Sequence, residues 1–167
     1  LLRLRYFLGF DAVLNSYATL STAWQPTGSF KIKGNFSTTD TSTQRFYNRY
    51  SSTDNNRSIA ISYVNGVGIR FIVSVDGVNT ANVDIAYTPL GKLSTFEATF
   101  NSSTNIILDV DGVAATATHD YASVYDANTP TYFGSSLGSS SFLQGVPANY
   151  ELIDLDVPAN SQAYRLD

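Results

Sequence analysis

Arginine, lysine and tyrosine at alternate positions of predicted strands are the residues of this chain best suited to hold a ligand. Arg45, Tyr47 and Arg49 are spaced two apart in one segment, so a regular strand places all three on one face. A guanidinium forms paired hydrogen bonds to the oxygens of an anionic group, and a tyrosine ring offers a flat surface to a sugar ring. The pattern predicts a binding patch for an acidic or hydroxyl-rich polysaccharide.

Three further cations extend this predicted patch. Arg70 is expected on a neighbouring strand of the same sheet, and Lys31 and Lys33 alternate with apolar residues on another strand. The predicted ligand-binding residues are therefore Lys31, Lys33, Arg45, Tyr47, Arg49 and Arg70. The orientation of the central segment requires its other residues to point inward, namely Gln44, Phe46 and Tyr50. The alternative is an ordinary solvated sheet face, on which Lys and Arg prevent strand edges from pairing.

The sequence lacks the residues that most other kinds of functional site require. The chain has no cysteine and a single histidine, His119, which is predicted in a surface loop. Disulfides and thiolate catalysis are excluded, and a Ser-His-Asp or multi-histidine zinc site would depend on that one ring. The formal net charge of −4 argues against nucleic acid as a partner. No apolar run approaches the roughly 20 residues of a membrane-spanning helix, so we expect no membrane insertion.

The elements that position these side chains are predicted to be strands. No window keeps a helical period, and β-branched and aromatic residues recur throughout. Two Val-Asp-Gly-Val segments, at residues 75–78 and 110–113, follow alternating apolar runs. Asp-Gly between such runs predicts a type I′ hairpin turn, which needs positive φ at both central residues. The predicted strands are residues 6–10, 17–20, 29–37, 43–50, 58–64, 68–75, 83–87, 93–100, 105–110, 113–118, 131–133 and 150–156.

Strands of this number and spacing predict an all-β fold, a two-sheet antiparallel jelly-roll sandwich. The 167 residues suit one domain over residues 1–167. Because the first residue is leucine, we expect a segment of a longer chain, with residues 1–5 as a linker or an inherited strand. Alternation predicts a core of Phe30, Ile32, Phe36, Ile59, Ile61, Tyr63, Ile69, Phe71, Val73, Val75, Phe96, Ala98, Phe100, Ile106, Leu108 and Val110.

Segments over almost the whole length follow the order of a known module. They are an opening strand pair (residues 10–20), an alternating strand (28–36), Phe96-Glu-Ala-Thr-Phe100, the Leu108-Asp-Val-Asp-Gly112 hairpin, Tyr132-Phe-Gly-Ser-Ser136, Phe142-Leu-Gln-Gly145 and residues 150–156. In this order the chain resembles the concanavalin A-like jelly rolls, specifically the laminin-G-like modules. Its ending, residues 160–166, is similar to modules appended to bacteriophage tail and fibre proteins.

Hydrolases of the same fold carry a strand with Glu-x-Asp-x-x-Glu, and this chain departs from that pattern. It has Glu151-Leu-Ile-Asp154-Leu-Asp156 instead, and a regular strand places Glu151 on the face opposite Asp154 and Asp156. A retaining pair of carboxylates must lie about 5–5.5 Å apart on one side of the substrate. We therefore expect no enzymatic activity, and a glycan hydrolase is the weakest alternative.

Laminin-G-like modules commonly bind calcium through loop carboxylates and carbonyl oxygens. The available loop acids are Asp54, Asp76, Asp111 and Asp126. Asp76 and Asp111 already have a role in their predicted turns, and the family's acidic opening loop is replaced here by Ala12-Val-Leu-Asn15. We expect no cofactor, with calcium as the alternative.

Composition and resemblance together predict a location and a role. The chain contains 20 Ser, 17 Thr and 13 Asn residues, a polar but weakly charged surface typical of extracellular or virion-surface β-domains. The resulting hypothesis is a non-catalytic recognition module of a phage tail or fibre that binds host-surface glycan. The alternative is a structural virion module, a spacer, decoration or oligomerisation domain that contacts neighbouring protein subunits, including a homo-oligomer.

Overall fold

The computed structural model describes residues 17–20, 23–26, 28–52, 55–88, 91–135 and 148–164. The first strands in chain order are β1 (Ala18–Thr19), β2 (Phe30–Phe36), β3 (Gln44–Ser51), β4 (Asn56–Val64), β5 (Gly68–Ser74) and β6 (Thr80–Ile85). They are followed by β7 (Ser94–Asn101), β8 (Asn105–Val110), β9 (Val113–Thr118), β10 (Tyr132–Phe133), β11 (Ala148–Asp154) and β12 (Gln162–Tyr164). A single 3₁₀ turn, Pro158–Asn160, is the helical structure within these residues.

The strands form two antiparallel six-stranded sheets, which confirms the predicted sandwich. The first sheet has the order β1-β10-β3-β4-β5-β6, and the second has the order β12-β11-β2-β7-β8-β9. Strand β12 was not predicted; it follows the 3₁₀ turn and pairs with β11 through Tyr150 and Tyr164. The predicted strand at residues 6–10, the opening motif before Tyr17 and the Phe142–Gly145 motif lie outside the described residues, as do residues 1–5.

The inner faces of the two sheets supply the core, and the predicted core is confirmed at every position except Val75. Val75 is half-buried because β5 ends one residue earlier. Aromatic rings join the sheets: the ring centroids of Phe36 and Phe46 are 4.4 Å apart, and those of Phe133 and Tyr150 are 4.5 Å apart. Contacts of this kind add to the stabilisation from apolar burial alone.

Both Asp-Gly pairs lie in hairpin turns, but the two turns differ. Asp111 and Gly112 have φ values of 52° and 84°, as the two-residue type I′ turn between β8 and β9 requires. In the longer β5–β6 connection only Gly77 of the pair has positive φ, at 83°. There the Asp76 carboxylate accepts hydrogen bonds from the backbone N–H groups of Val78 and Asn79, at 2.8 and 2.7 Å. The type I′ prediction is therefore right for the second turn and wrong for the first.

Strand β3 contains an irregularity that decides which side chains face outward. Arg45 pairs with Ser62 and Tyr47 pairs with Ile61, so Phe46 is an extra residue without a partner on β4. Such a bulge reverses the in–out alternation of the residues that follow it. The Phe46 carbonyl accepts hydrogen bonds from the Gly134 N–H, at 3.1 Å, and from the Tyr150 hydroxyl of the facing sheet, at 3.0 Å.

Candidate functional site

The predicted outward orientation of Tyr47 and Arg49 is wrong. Tyr47 is 0% exposed and Arg49 is 1% exposed, because the bulge at Phe46 turns both residues towards the interior of the sandwich. The Tyr47 ring packs edge-on against Phe133, with centroids 5.7 Å apart, and burial raises the pKa of its hydroxyl. A ring in this position cannot stack on an external ligand.

Arg49 has a structural position at one end of the sandwich, where it joins two loops. Its Nη1 donates to the Trp24 carbonyl at 2.8 Å and to the Gln25 side-chain carbonyl. Its Nη2 donates to the Ala127 carbonyl at 2.7 Å and to the Asp126 carboxylate at 2.9 Å. The two terminal guanidinium nitrogens are thus fully engaged within the protein, which leaves them no capacity for a ligand.

Arg45 and Arg70, by contrast, do share the outer face of the first sheet. The pairing register aligns four residues across β3, β4, β5 and β6 in one row: Arg45, Ser62, Arg70 and Asp84. Arg70 donates from Nε and Nη2 to the two carboxylate oxygens of Asp84, at 2.7 and 2.8 Å. This bidentate pair raises the pKa of the Arg70 guanidinium, with hydrogen bonding as the largest cause.

Of the two arginines in this row, Arg45 is the one that forms no ion pair with an acidic side chain of the described residues. Its Nη1 donates to the Ser62 hydroxyl at 3.1 Å, and its guanidinium carbon lies 5.7 Å from the centroid of the Tyr50 ring, a cation–π distance. Among the described residues no carboxylate forms an ion pair with it, and its buried Nε has no hydrogen-bond partner. Burial first, and then the charge of Arg70, lower the pKa of the Arg45 guanidinium.

Tyrosine rings complete this outer face. Tyr50 was predicted to point inward, but after the bulge its ring lies beside the Arg45 guanidinium. Tyr132 pairs with Asn48 of β3, on the same side of the sheet, and its ring centroid is 5.9 Å from that of Tyr17, which is 38% exposed. We call this set the arginine–tyrosine face; it consists of Tyr17, Arg45, Tyr50, Ser62, Arg70, Asp84 and Tyr132.

Lys31 and Lys33 do point outward, but from the other sheet, so the six predicted residues do not form one patch. Both lysines contact Glu97 of the adjacent strand, with Nζ to carboxylate distances of 2.5 and 3.2 Å. The hydrogen bond from Lys31 is the largest cause that lowers the pKa of Glu97. Their charges are therefore shared with an acid, whereas that of Arg45 is not.

The carboxylates considered for catalysis lie apart, on opposite faces as predicted. Glu151 is exposed and aligned with Lys33 on the outer face. Asp154 is 0% exposed and organises a turn, because its Oδ1 accepts hydrogen bonds from the N–H groups of Asp156 and Val157, at 3.1 and 2.8 Å. The Asp156 carboxylate accepts from the Ser29 N–H at 2.8 Å. These roles are structural ones within the closing turn.

The described part of the chain contains no group of three or more His, Asp or Glu residues arranged to hold a metal ion. Asp126 bonds Arg49, and Asp111 bonds Lys92 at 2.7 Å and the Thr95 N–H at 2.8 Å; Asp54 lies outside the described residues. His119 lies in a loop directly after β9, as predicted, and is half-buried, with its ring stacked on Phe100 at 4.7 Å between centroids. Within the described residues no helix has the length and apolar character to cross a membrane.

Solved structures show which fold this arrangement belongs to, although neither a protein-family model nor a curated protein matches the sequence. Domains LG4-5 of the mouse laminin α1 chain superpose with a TM-score of 0.65 and 24% identity; the match covers 89% of this chain and 40% of the laminin chain. A SAP-like pentraxin from Limulus polyphemus has a TM-score of 0.62 and 10% identity over 90% of this chain and 72% of its own.

A third structure is the CBM40 domain of the Ruminococcus gnavus IT-sialidase, bound to α2,3-sialyllactose. Its TM-score is 0.58 and its identity 13%, over 90% of this chain and 92% of that domain. Together these likenesses confirm the fold that the sequence resemblance predicts. The protein has the two-sheet jelly-roll fold of these structures, and it spans less than half of the laminin chain that it matches.

Proposed function

We propose that this domain is a non-catalytic recognition module that binds a glycan carrying an anionic group, and that the arginine–tyrosine face is the binding surface. The observation that carries this proposal is Arg45, a cation that forms no ion pair with an acid among the described residues, in a chain of net charge −4. An anionic oxygen beside the Arg45 guanidinium would pair with its charge and offset the like charge of Arg70.

The rest of the face suits a sugar as the carrier of that anion. Tyr17 and Tyr132 present neighbouring rings at one side of Arg45's strand, and rings of this kind pack against the apolar face of a pyranose. Asp84, which is 32% exposed and held in place by Arg70, adds acceptor oxygens for hydrogen bonds from sugar hydroxyls. Ser62 is buried and positions Arg45. The CBM40 domain, a jelly roll of similar fold, is described with α2,3-sialyllactose bound, which supports an anionic glycan as the class of ligand.

The setting we propose is the surface of a virion, as part of a phage tail or fibre that attaches to a host-surface polysaccharide. The polar, weakly charged composition supports an extracellular or virion surface. The ending at residues 160–166, similar to that of tail and fibre modules, supports the phage context.

The test compares Arg45→Gln with the charge-matched control Lys33→Gln on the opposite sheet. Calorimetry with 3′-sialyllactose and with neutral lactose, at low and at moderate salt, measures binding. We expect the wild type to prefer the charged sugar, Arg45→Gln to lose at least tenfold in affinity, and Lys33→Gln to bind as the wild type does. Lys33→Gln should change the free energy of unfolding by less than about 1 kcal/mol, because the Lys33 side chain is 40% exposed. Urea unfolding of Arg45→Gln establishes that this variant is folded under the conditions of the binding measurement.

Two results would contradict the proposal. Equal losses in Arg45→Gln and Lys33→Gln would indicate attraction by net charge rather than a site. If the wild type binds neither sugar, the wild type and both variants are compared on an array of sulfated and uronic acid-containing polysaccharides. The proposal is overturned if no glycan on that array binds the wild type more tightly than Arg45→Gln.

A further inference from the structure

Strand β9 is an edge strand that lacks the usual protection against pairing. It pairs only with β8, at the end of the second sheet. Its six residues, Val-Ala-Ala-Thr-Ala-Thr, contain no charge and no proline, and four of them are exposed, with Val113 at 61%. Charged residues, prolines and bulges are the devices that keep natural sheet edges apart, and β9 has none of them.

The type I′ turn determines which backbone groups of β9 point away from the sheet. Val110 and Val113 flank that turn, so they form a hydrogen-bonded pair, and the pairing with β8 alternates from there. Ala115 and Ala117 therefore use their N–H and C=O groups on β8. Those of Ala114, Thr116 and Thr118 point towards the open edge, and within the described residues none of them has a hydrogen bond from outside the sheet.

The other three sheet edges differ from β9. Strand β1 has two residues and β12 has three, too few for an extended pairing. Strand β6 has six residues but carries Asp84, which is engaged by Arg70. Among the described strands, β9 is thus the long edge that is free of charge.

We propose that β9 pairs antiparallel with β9 of a second copy of this chain, about a two-fold axis at Thr116. The three residues with free groups are evenly spaced, so Thr116 aligns with its own counterpart and Ala114 aligns with Thr118 of the second copy. Each aligned pair exchanges two backbone hydrogen bonds, and the two six-stranded sheets become one continuous sheet. An isologous contact of this kind closes after two copies.

The chemistry of the strand favours a second copy over an unrelated partner. A self-pairing edge must satisfy its free groups with the same groups of its counterpart, and the register centred on Thr116 does so without leaving any unpaired. Each copy has a net charge of −4, so pairing needs an uncharged contact, which β9 provides. On the outer face the two Thr116 side chains become a cross-strand pair, a combination that stabilises antiparallel sheets.

The 167 residues contain no cysteine, which makes a direct test available. In the proposed register the two copies of position 116 lie about 5.5 Å apart between Cα atoms, within the range of a disulfide. Thr116→Cys should therefore form a covalent dimer with oxidised glutathione. Ala114→Cys is the matched control on the same exposed face, because its two copies are offset by four residues, about 13 Å along the strand, and should not crosslink at the same protein concentration.

Sedimentation equilibrium of the wild type should give twice the mass of the chain, and Thr116→Lys, which opposes two positive charges at the axis, should give the monomer mass. Thr95→Lys on the exposed outer face of β7 adds the same charge and should remain a dimer.

A wild type that stays monomeric at millimolar concentration overturns the proposal. So does a dimer or trimer that persists in Thr116→Lys, or equal crosslinking of both cysteine variants. Glycan binding is on the other sheet and is measured separately, so this result does not depend on it.

Discussion

The two halves of strand β3 place the same residue type in opposite roles. Arg45, before the bulge, lies on the outer face with its Nε unpaired and no acid partner among the described residues. Arg49, four residues later, is 1% exposed and donates to two backbone carbonyls, an amide and a carboxylate. Residue type alone therefore does not decide whether an arginine lies on the outer face or stabilises the interior. The single extra residue between them, Phe46, does.

The bulge itself is stabilised by residues far away in the sequence. The Phe46 carbonyl accepts from Tyr150, 104 residues later, across the interior of the sandwich. The Tyr150 ring fits there because Gly34 has no side chain: a Cβ at that position would lie 2.8 Å from the Phe96 ring and 3.1 Å from the Tyr150 ring. The outward orientation of Arg45 and the inward one of Arg49 thus depend on a contact between the two sheets.

Removal of Arg49 should have the largest effect on stability. In Arg49→Met the apolar volume is largely kept, but the buried carbonyls of Trp24 and Ala127 lose their donors. Each unsatisfied buried acceptor costs about 1–3 kcal/mol, so we expect a loss of about 3 kcal/mol in the free energy of unfolding, measured with urea.

The acid partner of Arg49 provides the control for this variant. The Asp126 side chain is 74% exposed, so Asp126→Ala should cost less than about 1 kcal/mol, as exposed ion pairs do. If the two variants destabilised the domain equally, the ion pair rather than the buried carbonyl contacts would be the main contribution of Arg49.

Removal of the Tyr150 hydroxyl should have an intermediate effect. In Tyr150→Phe the Phe46 carbonyl keeps its hydrogen bond from Gly134, so about 1 kcal/mol should be lost. Tyr132→Phe removes a hydroxyl from a half-buried ring of the outer face and should leave stability within about 0.5 kcal/mol. Thermal unfolding monitored by circular dichroism compares the two. An unchanged Tyr150→Phe would show that the bulge is maintained without the bond between the sheets.

The fold could be predicted from the sequence because its signals are local. Alternation of apolar residues, as in Ile106, Leu108 and Val110, reports directly on a half-buried strand, and Asp111-Gly112 reports on the turn that ends it. The prediction failed where such signals are short or ambiguous. Strand β12 has only three residues, and the Asp76 side chain caps its own turn in a longer connection than a type I′ hairpin.

The site could be predicted only in part, because its geometry depends on contacts between distant residues. Arg45 and Arg70 lie on the outer face as expected, since alternation holds up to the bulge. Tyr47 and Arg49 do not, because no local pattern distinguishes a bulge from a regular strand. The cross-strand neighbours Ser62 and Asp84 become visible only with the register.

The smallest effect on stability is expected at Glu97. This residue is the acid partner of Lys31 and Lys33, whereas Arg45 has no such partner among the described residues. The side chains of Lys31, Lys33 and Glu97 are 32–40% exposed, so solvent screening limits the contribution of this cluster to about 0.5 kcal/mol. The native pKa of Glu97 is lowered, chiefly by the hydrogen bond from Lys31, so its contribution is present above the unfolded-state value of about 4.3. It is lost as the pH falls through the lower native pKa.

Glu97→Gln should therefore be slightly less stable than the wild type near neutral pH, and the two should converge in acid, as urea unfolding at a series of pH values would show. A difference that persisted below the native pKa would indicate that Glu97 contributes through packing on the outer face and not through its charge.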